Sequence, residues 1–344
     1  MAVSFPAELW RRVEAGTLSP GEALRLFRTG SAPTAGTPGD LSGSPSPSRK
    51  SRVPARTGPE AGGEAAEAER LRQSLAVLAE LDALVGLEGV KRSVREIGAM
   101  ARVQELRRRA GLATGAMTLH MVFTGHPGTG KTTVARILGR FFQALGILPR
   151  GHLVEVERAD LVGEYIGHTA VKTRETIRRA LGGVLFIDEA YSLARGGEKD
   201  FGKEAIDCLV KAAEDHRQEL LVILAGYPAE MEWFLVQNPG LQSRFPIRIH
   251  FPDYSPAELY QIAEQMLAEQ QYRLTADARA YLRGKLQGAG WSFAGEAGNA
   301  RAVRNLLERA LRCQALRLLD RAHLGREDLM TITRRDLEEA CRSW

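Results

Sequence analysis

The sequence has little cysteine, and its cysteines do not form a recognisable site. Cys208, Cys313 and Cys341 lie far apart and show no C-x-x-C spacing. This argues against a disulfide framework and against a cysteine zinc site. We expect three buried or chemically idle thiols.

Long apolar runs are also absent. No window approaches the roughly 18 consecutive apolar residues that a membrane helix requires. Glu8, Arg11 and Arg12 stand where a signal peptide would carry its apolar stretch. These absences predict a cytoplasmic protein without a membrane segment.

No charge of one sign dominates the chain. Its 344 residues include 47 basic and 42 acidic side chains, and the net charge of +5 is spread along the sequence. Composition therefore gives a nucleic-acid surface little support, although a pI of about 9.2 permits one. With 44% apolar and 26% charged residues, the chain is expected to be mostly globular and long enough for two or three domains.

Composition divides the chain into successive regions. Residues 5–29 have the apolar spacing of two short helices, so we predict a helical N-terminal element over 1–29. Of residues 30–63, 22 of 34 are Gly, Pro, Ser or Thr, which predicts a flexible tether. The chain turns helical from Glu64, and we assign 30–74 to the linker and the start of this helix. An α/β domain over 75–253 and a helical domain over 254–344 are expected to follow.

Short β-rich runs alternate with helix-length stretches from about Leu84 onward. The predicted strands are residues 120–124, 153–157, 184–187, 220–225 and 247–251. This rhythm predicts a parallel sheet covered by helices on both faces. After Pro252 the strands are expected to stop, and helices are predicted over 257–269, 276–286, 300–319 and 334–342.

The strongest motif is a complete G-x-x-x-x-G-K-T, placed directly after an apolar strand and directly before a helical segment. It consists of Gly125, His126, Pro127, Gly128, Thr129, Gly130, Lys131 and Thr132, and Thr133 follows it. The glycines allow successive backbone N–H groups to wrap a phosphate, and the helix N-terminus adds partial positive charge. Lys131 is expected to reach the β- and γ-phosphates, and the Thr132 hydroxyl to ligate Mg²⁺.

A second motif ends the predicted strand 184–187 with two carboxylates, Asp188 and Glu189. An apolar strand closed by two acids also occurs by chance, but here it follows a complete phosphate-binding loop in the same sheet. Asp188 is expected to hold Mg²⁺, and Glu189 to orient or deprotonate the attacking water.

Phosphoryl transfer also needs cations near the γ-phosphate, and two arginines stand at suggestive places. Arg244 lies just before the last predicted strand, and Arg301 begins a helix of the C-terminal domain. From spacing alone, such an arginine is more often a solvated surface charge.

Taken together, these motifs resemble those of the AAA+ ATPases. Within that superfamily, the resemblance is to the group of stage V sporulation protein K, which includes the red-type Rubisco activases (CbbX-like). It is carried by residues 158–169 (RADLVGEYIGHT), 182–194 (GGVLFIDEAYSLA), 199–206 (KDFGKEAI) and 238–245 (NPGLQSRF). The resemblance implies a P-loop NTPase module with a parallel sheet, followed by a small all-α lid domain, with ATP and Mg²⁺ as cofactors.

The resemblance also implies roles for single residues around the nucleotide. Arg244 matches the arginine finger that reaches the nucleotide of a neighbouring subunit. Arg301 matches the sensor arginine of the lid, which acts within its own subunit. Val85 and Gly86 match the segment that packs on adenine, where ordinary core packing is the alternative.

Three further residues match the loop that lines the central pore of ring-forming relatives. Tyr165, Ile166 and Gly167 have the aromatic-hydrophobic-glycine pattern with which that loop grips polypeptide. Without the resemblance, a tyrosine before a glycine is more often a packed anchor of the loop.

The chain departs from the family pattern at two positions. Many relatives end the strand that precedes residue 226 in a polar sensor, whereas this chain has Ala225, Gly226 and Tyr227 there. His126 occupies a position of the phosphate loop where relatives often carry asparagine. We expect its side chain to be solvated and not catalytic.

The function implied is a cytoplasmic, ring-forming ATPase, expected to be a hexamer, that remodels a protein client during endospore formation. One alternative is an activator of Rubisco, and another is a DNA-associated AAA+ motor or loader. A nucleotide switch without mechanical work is a third. The acidic Glu164 beside the pore-loop tyrosine favours a polypeptide client over DNA.

Overall fold

The computed structural model describes residues 60–115, 117–165, 167–195, 201–288, 298–319, 321 and 323–342. The two helices predicted within residues 5–29, and most of the predicted tether, lie outside this part of the chain. The first described helix, α1, is Glu60–Ala83. It begins four residues before the helical start that the sequence predicts at Glu64, so the end of the tether region is helical.

A five-stranded sheet forms the centre of the fold. Its strands are β1 (Met121–Thr124), β2 (Leu153–Val156), β3 (Val184–Ile187), β4 (Leu221–Gly226) and β5 (Ile247–His250). They lie in the order β2-β3-β4-β1-β5, and every neighbouring pair is parallel. The predicted parallel α/β fold is therefore confirmed, and each predicted strand end is within one residue of the observed one.

Helices cover both faces of this sheet. The remaining helices up to β5 are α2 (Glu88–Arg109), α3 (Lys131–Ala144), α4 (Arg158–Leu161), α5 (His168–Ala180), α6 (Gly202–Asp215), α7 (Pro228–Gln237) and α8 (Pro239–Arg244). Successive side chains of a strand point to opposite faces. Phe123 and Phe186 accordingly join the core under α1–α3, whereas Val122 and Leu185 join the core under α4–α8.

A smaller helical unit with its own core follows β5, and we call it the lid. It contains α9 (Pro256–Glu269), α10 (Ala276–Gln287), α11 (Asn299–Leu319), α12 (Arg326–Met330) and α13 (Arg334–Arg342). Its first helix begins with a capping box in which Ser255 and Glu258 satisfy each other's backbone N–H groups. Leu259, Val303 and Leu337 lie at the centre of the lid core.

The expectation that strands stop after Pro252 was wrong in one detail. The lid also contains β6 (Arg273–Leu274) and β7 (Thr331–Ile332), which pair in parallel. Leu274 and Ile332 are buried in the lid core. The two segments are extended, and each contributes one of these side chains to that core. A ladder of two residues is too short to leave an alternating pattern in the sequence.

Candidate active site

A cavity of about 470 Å³ opens at the carboxyl ends of β1, β3 and β4. Its walls come from the loops after these strands, the connection between α1 and α2, and two lid helices. The predicted site residues that line it are Val85, Gly125, Pro127, Gly128, Gly130, Lys131, Thr132, Thr133, Asp188, Glu189 and Arg301. Ligand sites in open α/β folds lie at this edge of the sheet.

The phosphate-binding loop takes the shape that its glycines allow. Gly128 (φ +73°) and Gly130 (φ +93°) both have left-handed backbone conformations, and Gly130 directly precedes α3. Thr129 is fully buried, and its hydroxyl donates to the carbonyl of His126 at 2.8 Å. Gly125, Gly128 and Gly130 therefore present only backbone to the cavity, beside the N-terminus of α3.

Lys131 is held at the base of the loop. Its Nζ donates to the carbonyl oxygens of Gly125 and His126, both at 2.8 Å. Burial lowers the pKa of Lys131, the carboxylate of Asp188 opposes this effect, and the positive charge of Arg301 adds to it. A bound polyphosphate would supply the negative charge that this partly buried cation lacks.

The residues predicted to hold Mg²⁺ come from α3 and from the end of β3. Thr132 and Asp188 both line the cavity. The backbone N–H of Asp188 donates to the carbonyl of Val156 at 2.9 Å, and its Oδ1 accepts from the N–H of Glu189 at 3.0 Å. A hydroxyl and a carboxylate are oxygen ligands of the kind Mg²⁺ takes when it also binds phosphates, so this donor set fits the ion.

Glu155, a carboxylate within β2, belongs to none of the motifs that the sequence shows. Thr132 Oγ1 donates to its Oε1 at 3.2 Å. The sequence of Leu153–Val156 is typical of an ordinary edge strand. The contact between Glu155 and Thr132 becomes visible only in the structure, where β2 lies beside α3.

Asn299 fastens the lid to the phosphate-binding loop. It is fully buried at the start of α11, and its backbone is left-handed (φ +44°). Its Oδ1 accepts from the N–H of Tyr254 at 3.0 Å, and its Nδ2 donates to Asp253 Oδ1 at 2.9 Å and to the carbonyl of Pro127 at 3.4 Å. The sequence offers one signal for it, a Gly-Asn pair at the start of a predicted helix.

The hinge between β5 and the lid completes this attachment. Asp253 accepts a hydrogen bond from His126 Nδ1 at 2.9 Å, and the Tyr254 hydroxyl donates to the carbonyl of Thr129 at 3.2 Å. Burial raises the pKa of Tyr254 to about 12, and the charge of Glu258 adds to the increase. His126 is partly exposed, and its imidazole is paired with the hinge carboxylate of Asp253.

Arg301 also lies where the lid meets the loop. The N–H of the preceding residue, Ala300, donates to the carbonyl of Gly128 at 3.3 Å. A Cβ on Gly128 would overlap the carbonyl of Gly298 and come within 2.9 Å of the backbone nitrogen of Arg301. The lid backbone therefore touches the loop at a point where only glycine fits.

Tyr227 stands where relatives carry a polar sensor. Together with Gly226 it lines the cavity beyond β4. Its ring centroid lies 5.9 Å from that of Tyr191 and 6.3 Å from that of His126. Burial and the charge of Glu189 raise the pKa of the buried Tyr191. The rings of Tyr191 and Tyr227 therefore lie on the same side of the cavity as Glu189.

Arg244 does not line the cavity of its own chain. It is the last residue of α8, and its Nη1 donates to Ser243 Oγ at 3.1 Å and to the carbonyl of Gly240 at 3.4 Å. Its Nε lies 3.6 Å from a carboxylate oxygen of Glu214. The side chain is partly exposed beside the end of α6.

The predicted pore-loop residues are also separate from the cavity. Tyr165 is 66% exposed and contacts His168 edge-on, with ring centroids 5.5 Å apart. Gly167 (φ +82°) is the N-cap of α5, and Ile166 lies outside the described residues. Tyr165 is therefore not the packed loop anchor that its sequence context alone would favour.

Gly86 lies beside the cavity without lining it. Its backbone is left-handed (φ +62°), and a Cβ at this position would overlap the Glu258 side chain.

The three cysteines are free, and among the residues that the structure describes no cluster of His, Cys, Asp and Glu is arranged to hold a metal by itself. In the same part of the chain, no helix has the length and apolar character needed to cross a membrane.

Comparison with known proteins places these features in context. The model of the ATPase family associated with various cellular activities (AAA) matches residues 121–253, and that of the AAA lid domain matches residues 255–343. Stage V sporulation protein K of Bacillus subtilis (strain 168) is 55% identical over 259 residues, which are 75% of this chain and 80% of that protein.

Two further matches are a second relative and a solved structure. The chloroplastic ribulose bisphosphate carboxylase/oxygenase activase of Cyanidioschyzon merolae (strain NIES-3377 / 10D) is 46% identical over 269 residues, 76% of this chain and 90% of that protein. The crystal structure of the FIGL-1 AAA domain in complex with ADP matches with a TM-score of 0.55 and 22% identity, over 76% of this chain and 82% of that one. At this identity, the solved structure supports the fold alone.

Proposed function

The chain belongs to the AAA family of ATPases, in the group of stage V sporulation protein K and the related Rubisco activases, and we propose that it is a ring-forming ATPase that remodels a protein client. In this proposal, residues 75–253 are the nucleotide-binding domain and 254–344 are the lid. The observation that carries it is the convergence of Lys131, Thr132, Asp188 and Glu189 on one cavity.

Each of these residues has a defined task when ATP and Mg²⁺ are bound. The loop backbone and Lys131 bind the β- and γ-phosphates, and Arg301 approaches them from the lid. Thr132 and Asp188 would hold Mg²⁺, which would neutralise charge on the phosphate oxygens. Val85, which lines the cavity, would pack on adenine, with Gly86 in the turn beside it.

Glu189 is the proposed base. Glu189 is the second residue after β3, and its backbone is left-handed (φ +46°), a conformation rare outside glycine, asparagine and aspartate. Glu189→Gln keeps the shape of the side chain but removes its basicity, so ATP is expected to bind and persist while turnover falls at least about 100-fold. ATPase assays and nucleotide-binding titrations on the same preparation test this. Turnover at the wild-type rate would remove Glu189 from the mechanism.

Arg244 supports a shared site between subunits. A cation that stabilises phosphoryl transfer is worth about 10³ to 10⁵ in rate, and this one stands outside its own cavity. Arg244→Ala is expected to lose most hydrolysis with little change in ATP affinity. Mixing it with Lys131→Ala should restore activity. At some interfaces of the mixed ring, the intact phosphate-binding loop of an Arg244→Ala subunit then meets the intact Arg244 of a Lys131→Ala subunit. Absence of rescue at every mixing ratio would contradict the shared site.

The ring is proposed to be a hexamer in the cytoplasm, acting in endospore formation. This process is the one in the name of the Bacillus subtilis relative. Capture of proteins by the Glu189→Gln variant with ATP, followed by their identification, tests for a polypeptide client. An interaction that needs DNA, with ATPase stimulated by DNA and strongly salt-dependent, would support a DNA motor instead.

A Rubisco activator is the second candidate function. The name of the Cyanidioschyzon merolae relative supports it. The test is reactivation of a purified, inhibited form I Rubisco by the wild-type chain and ATP, with Glu189→Gln as the control. Reactivation that needs hydrolysis would favour this candidate over a sporulation client. ATP-dependent assembly without measurable turnover would instead indicate a nucleotide switch.

A further inference from the structure

Glu155 is an acidic residue that contacts the proposed metal ligand Thr132 and has no part in the proposed hydrolysis mechanism. It accepts a hydrogen bond from Thr132 Oγ1 at 3.2 Å, and its other oxygen lies 4.0 Å from Arg136 Nη2. The pair with Arg136 is longer and both side chains are well exposed, so it is worth little by itself. The contact with the Thr132 hydroxyl is the specific one.

The register of the sheet explains why Glu155 reaches this point. Leu153 packs on the α3 side of the sheet, whereas Val154 and Val156 pack on the other side. The two-residue period of a strand puts Glu155 on the side of Leu153, toward the start of α3. Strand β2 is also tied to the end of β3, because the carbonyl of Val156 accepts from the N–H of Asp188.

The chemistry of a hydroxyl ligand gives this contact a function. A hydroxyl oxygen that binds a cation keeps one proton, and that proton must point away from the metal toward an acceptor. In this structure the acceptor of the Thr132 proton is the Glu155 carboxylate. A charged acceptor fixes the rotation of the hydroxyl and makes its oxygen a better ligand.

We propose that Glu155 is a positioning residue for Mg²⁺: its carboxylate accepts the proton of the Thr132 hydroxyl and so turns the hydroxyl oxygen toward the metal. The inference rests on the proposed nucleotide site, and it adds a carboxylate from the edge strand to the metal-binding machinery. Glu155 acts only when Mg²⁺ accompanies the nucleotide. It has no role in binding the nucleotide without metal.

This separation makes the proposal measurable without catalysis. The affinity of the full chain for a fluorescent ADP analogue is measured in excess Mg²⁺ and in EDTA, and the Mg²⁺ concentration that restores tight binding is then titrated. Loss of the hydrogen-bond partner of a metal ligand costs about 10- to 100-fold in metal affinity. Because Glu155 is partly exposed, Glu155→Ala is expected to need about 10-fold more Mg²⁺ with unchanged affinity in EDTA.

Matched variants separate the hydrogen bond from other effects. Glu155→Gln keeps an acceptor oxygen without the charge, and a smaller shift is expected. Thr132→Ala removes the ligand itself and should abolish the Mg²⁺ effect. Arg136→Ala removes only the distant cation, and Glu175→Ala removes an exposed carboxylate of the neighbouring α5; both should behave like the wild type.

Three results would overturn the proposal. Glu155→Ala with a wild-type Mg²⁺ midpoint would show that the contact has no metal role. An equal loss of affinity in Mg²⁺ and in EDTA, with a lower melting temperature, would show that Glu155 only supports the fold of β2. A wild-type chain that binds the ADP analogue equally well in Mg²⁺ and in EDTA would contradict this inference and leave the nucleotide site standing, whereas no binding under either condition would contradict the proposed nucleotide site itself.

Discussion

Replacing Asn299 by alanine is expected to loosen the lid from the phosphate-binding loop. The substitution removes the acceptor for the Tyr254 N–H and the donor to Asp253. It also leaves alanine in a left-handed backbone conformation that asparagine tolerates better. None of these losses removes a group that the proposed mechanism assigns to ATP, so the effect reports on lid attachment.

The size of the effect follows from these contacts. A buried N–H left without a partner costs about 1 to 3 kcal/mol, and a hydrogen bond to a charged group is worth about 1.5 to 3 kcal/mol. Asp253 is partly exposed, so water replaces the lost donor in the variant. The loss of this hydrogen bond therefore costs a free energy near the lower end of the range. With about 1 kcal/mol for the unpaired N–H, about 1.5 kcal/mol for the bond to Asp253 and about 1 kcal/mol for the backbone, the total is about 3.5 kcal/mol.

Two measurements check this magnitude. Thermal unfolding is expected at a midpoint lower by roughly 6 to 10 °C. Affinity for a fluorescent ADP analogue is expected to fall by about 10-fold or more, because a smaller fraction of molecules has the lid docked. Asn299→Gly is the matched control. It loses the same hydrogen bonds but accepts the left-handed backbone, so it should be less destabilised by about 1 kcal/mol.

Particular outcomes would refute this reasoning. A melting midpoint within about 1 °C of the wild type and an affinity within about twofold would mean that the Asn299 contacts contribute nothing net. Equal losses of stability in Asn299→Ala and Asn299→Gly would agree with the hydrogen-bond contribution. They would contradict the contribution of the left-handed backbone.

Three further predictions concern the pore loop, the buried histidine and the phosphate-binding loop. Because Tyr165 is exposed away from the cavity, Tyr165→Ala should keep basal ATPase and lose client remodelling; normal remodelling in that assay would rule out the grip. Burial lowers the pKa of His120 below its ordinary value of 6.5, so the unfolded chain binds a proton that the folded chain does not, and stability falls as the pH drops below about 6.5. In His120→Gln the melting temperature should fall less between about pH 7.5 and about pH 5.5, and an unchanged slope would contradict this. Gly128→Ala should lose nucleotide binding in the same titration because its Cβ overlaps the lid backbone, whereas Gly89→Ala in α2, where a Cβ meets nothing within 4 Å, should bind normally.

Local pattern was enough to predict the sheet and the ends of its strands. The five strands are short apolar runs bounded by polar or turn residues, and the phosphate-binding motif fixes which of them is β1. The positions of Lys131 and Asp188 follow from this. Lys131 ends the loop that follows β1, Asp188 directly follows β3, and both strands end at the same edge of the sheet. Their roles in hydrolysis remain proposals, as do those of Arg244 and Arg301.

The attachment of the lid could not be predicted in the same way. Asn299 is 172 residues from Pro127 and 46 from Asp253 in the sequence, and one sequence alone gives no signal for contacts at such separations. Glu155 was missed for a related reason, since its partner belongs to a helix that β2 meets only in the folded sheet. The lid strands were missed because hydrophobic pattern cannot identify a strand of two residues.

The cavity has a consequence for how the chain unfolds. One wall belongs to the core of the sheet and the other to the separate core of the lid. Without a ligand, the two cores are joined by the hinge, by the packing of Val85 and Tyr254 against the lid core, and by a few hydrogen bonds, and we expect them to melt in separate steps. A ligand that fills the cavity touches both walls and stabilises only the arrangement in which both are folded. Nucleotide concentration therefore sets the cooperativity of unfolding, and a protease that cuts at the hinge should become ineffective as the nucleotide saturates the chain.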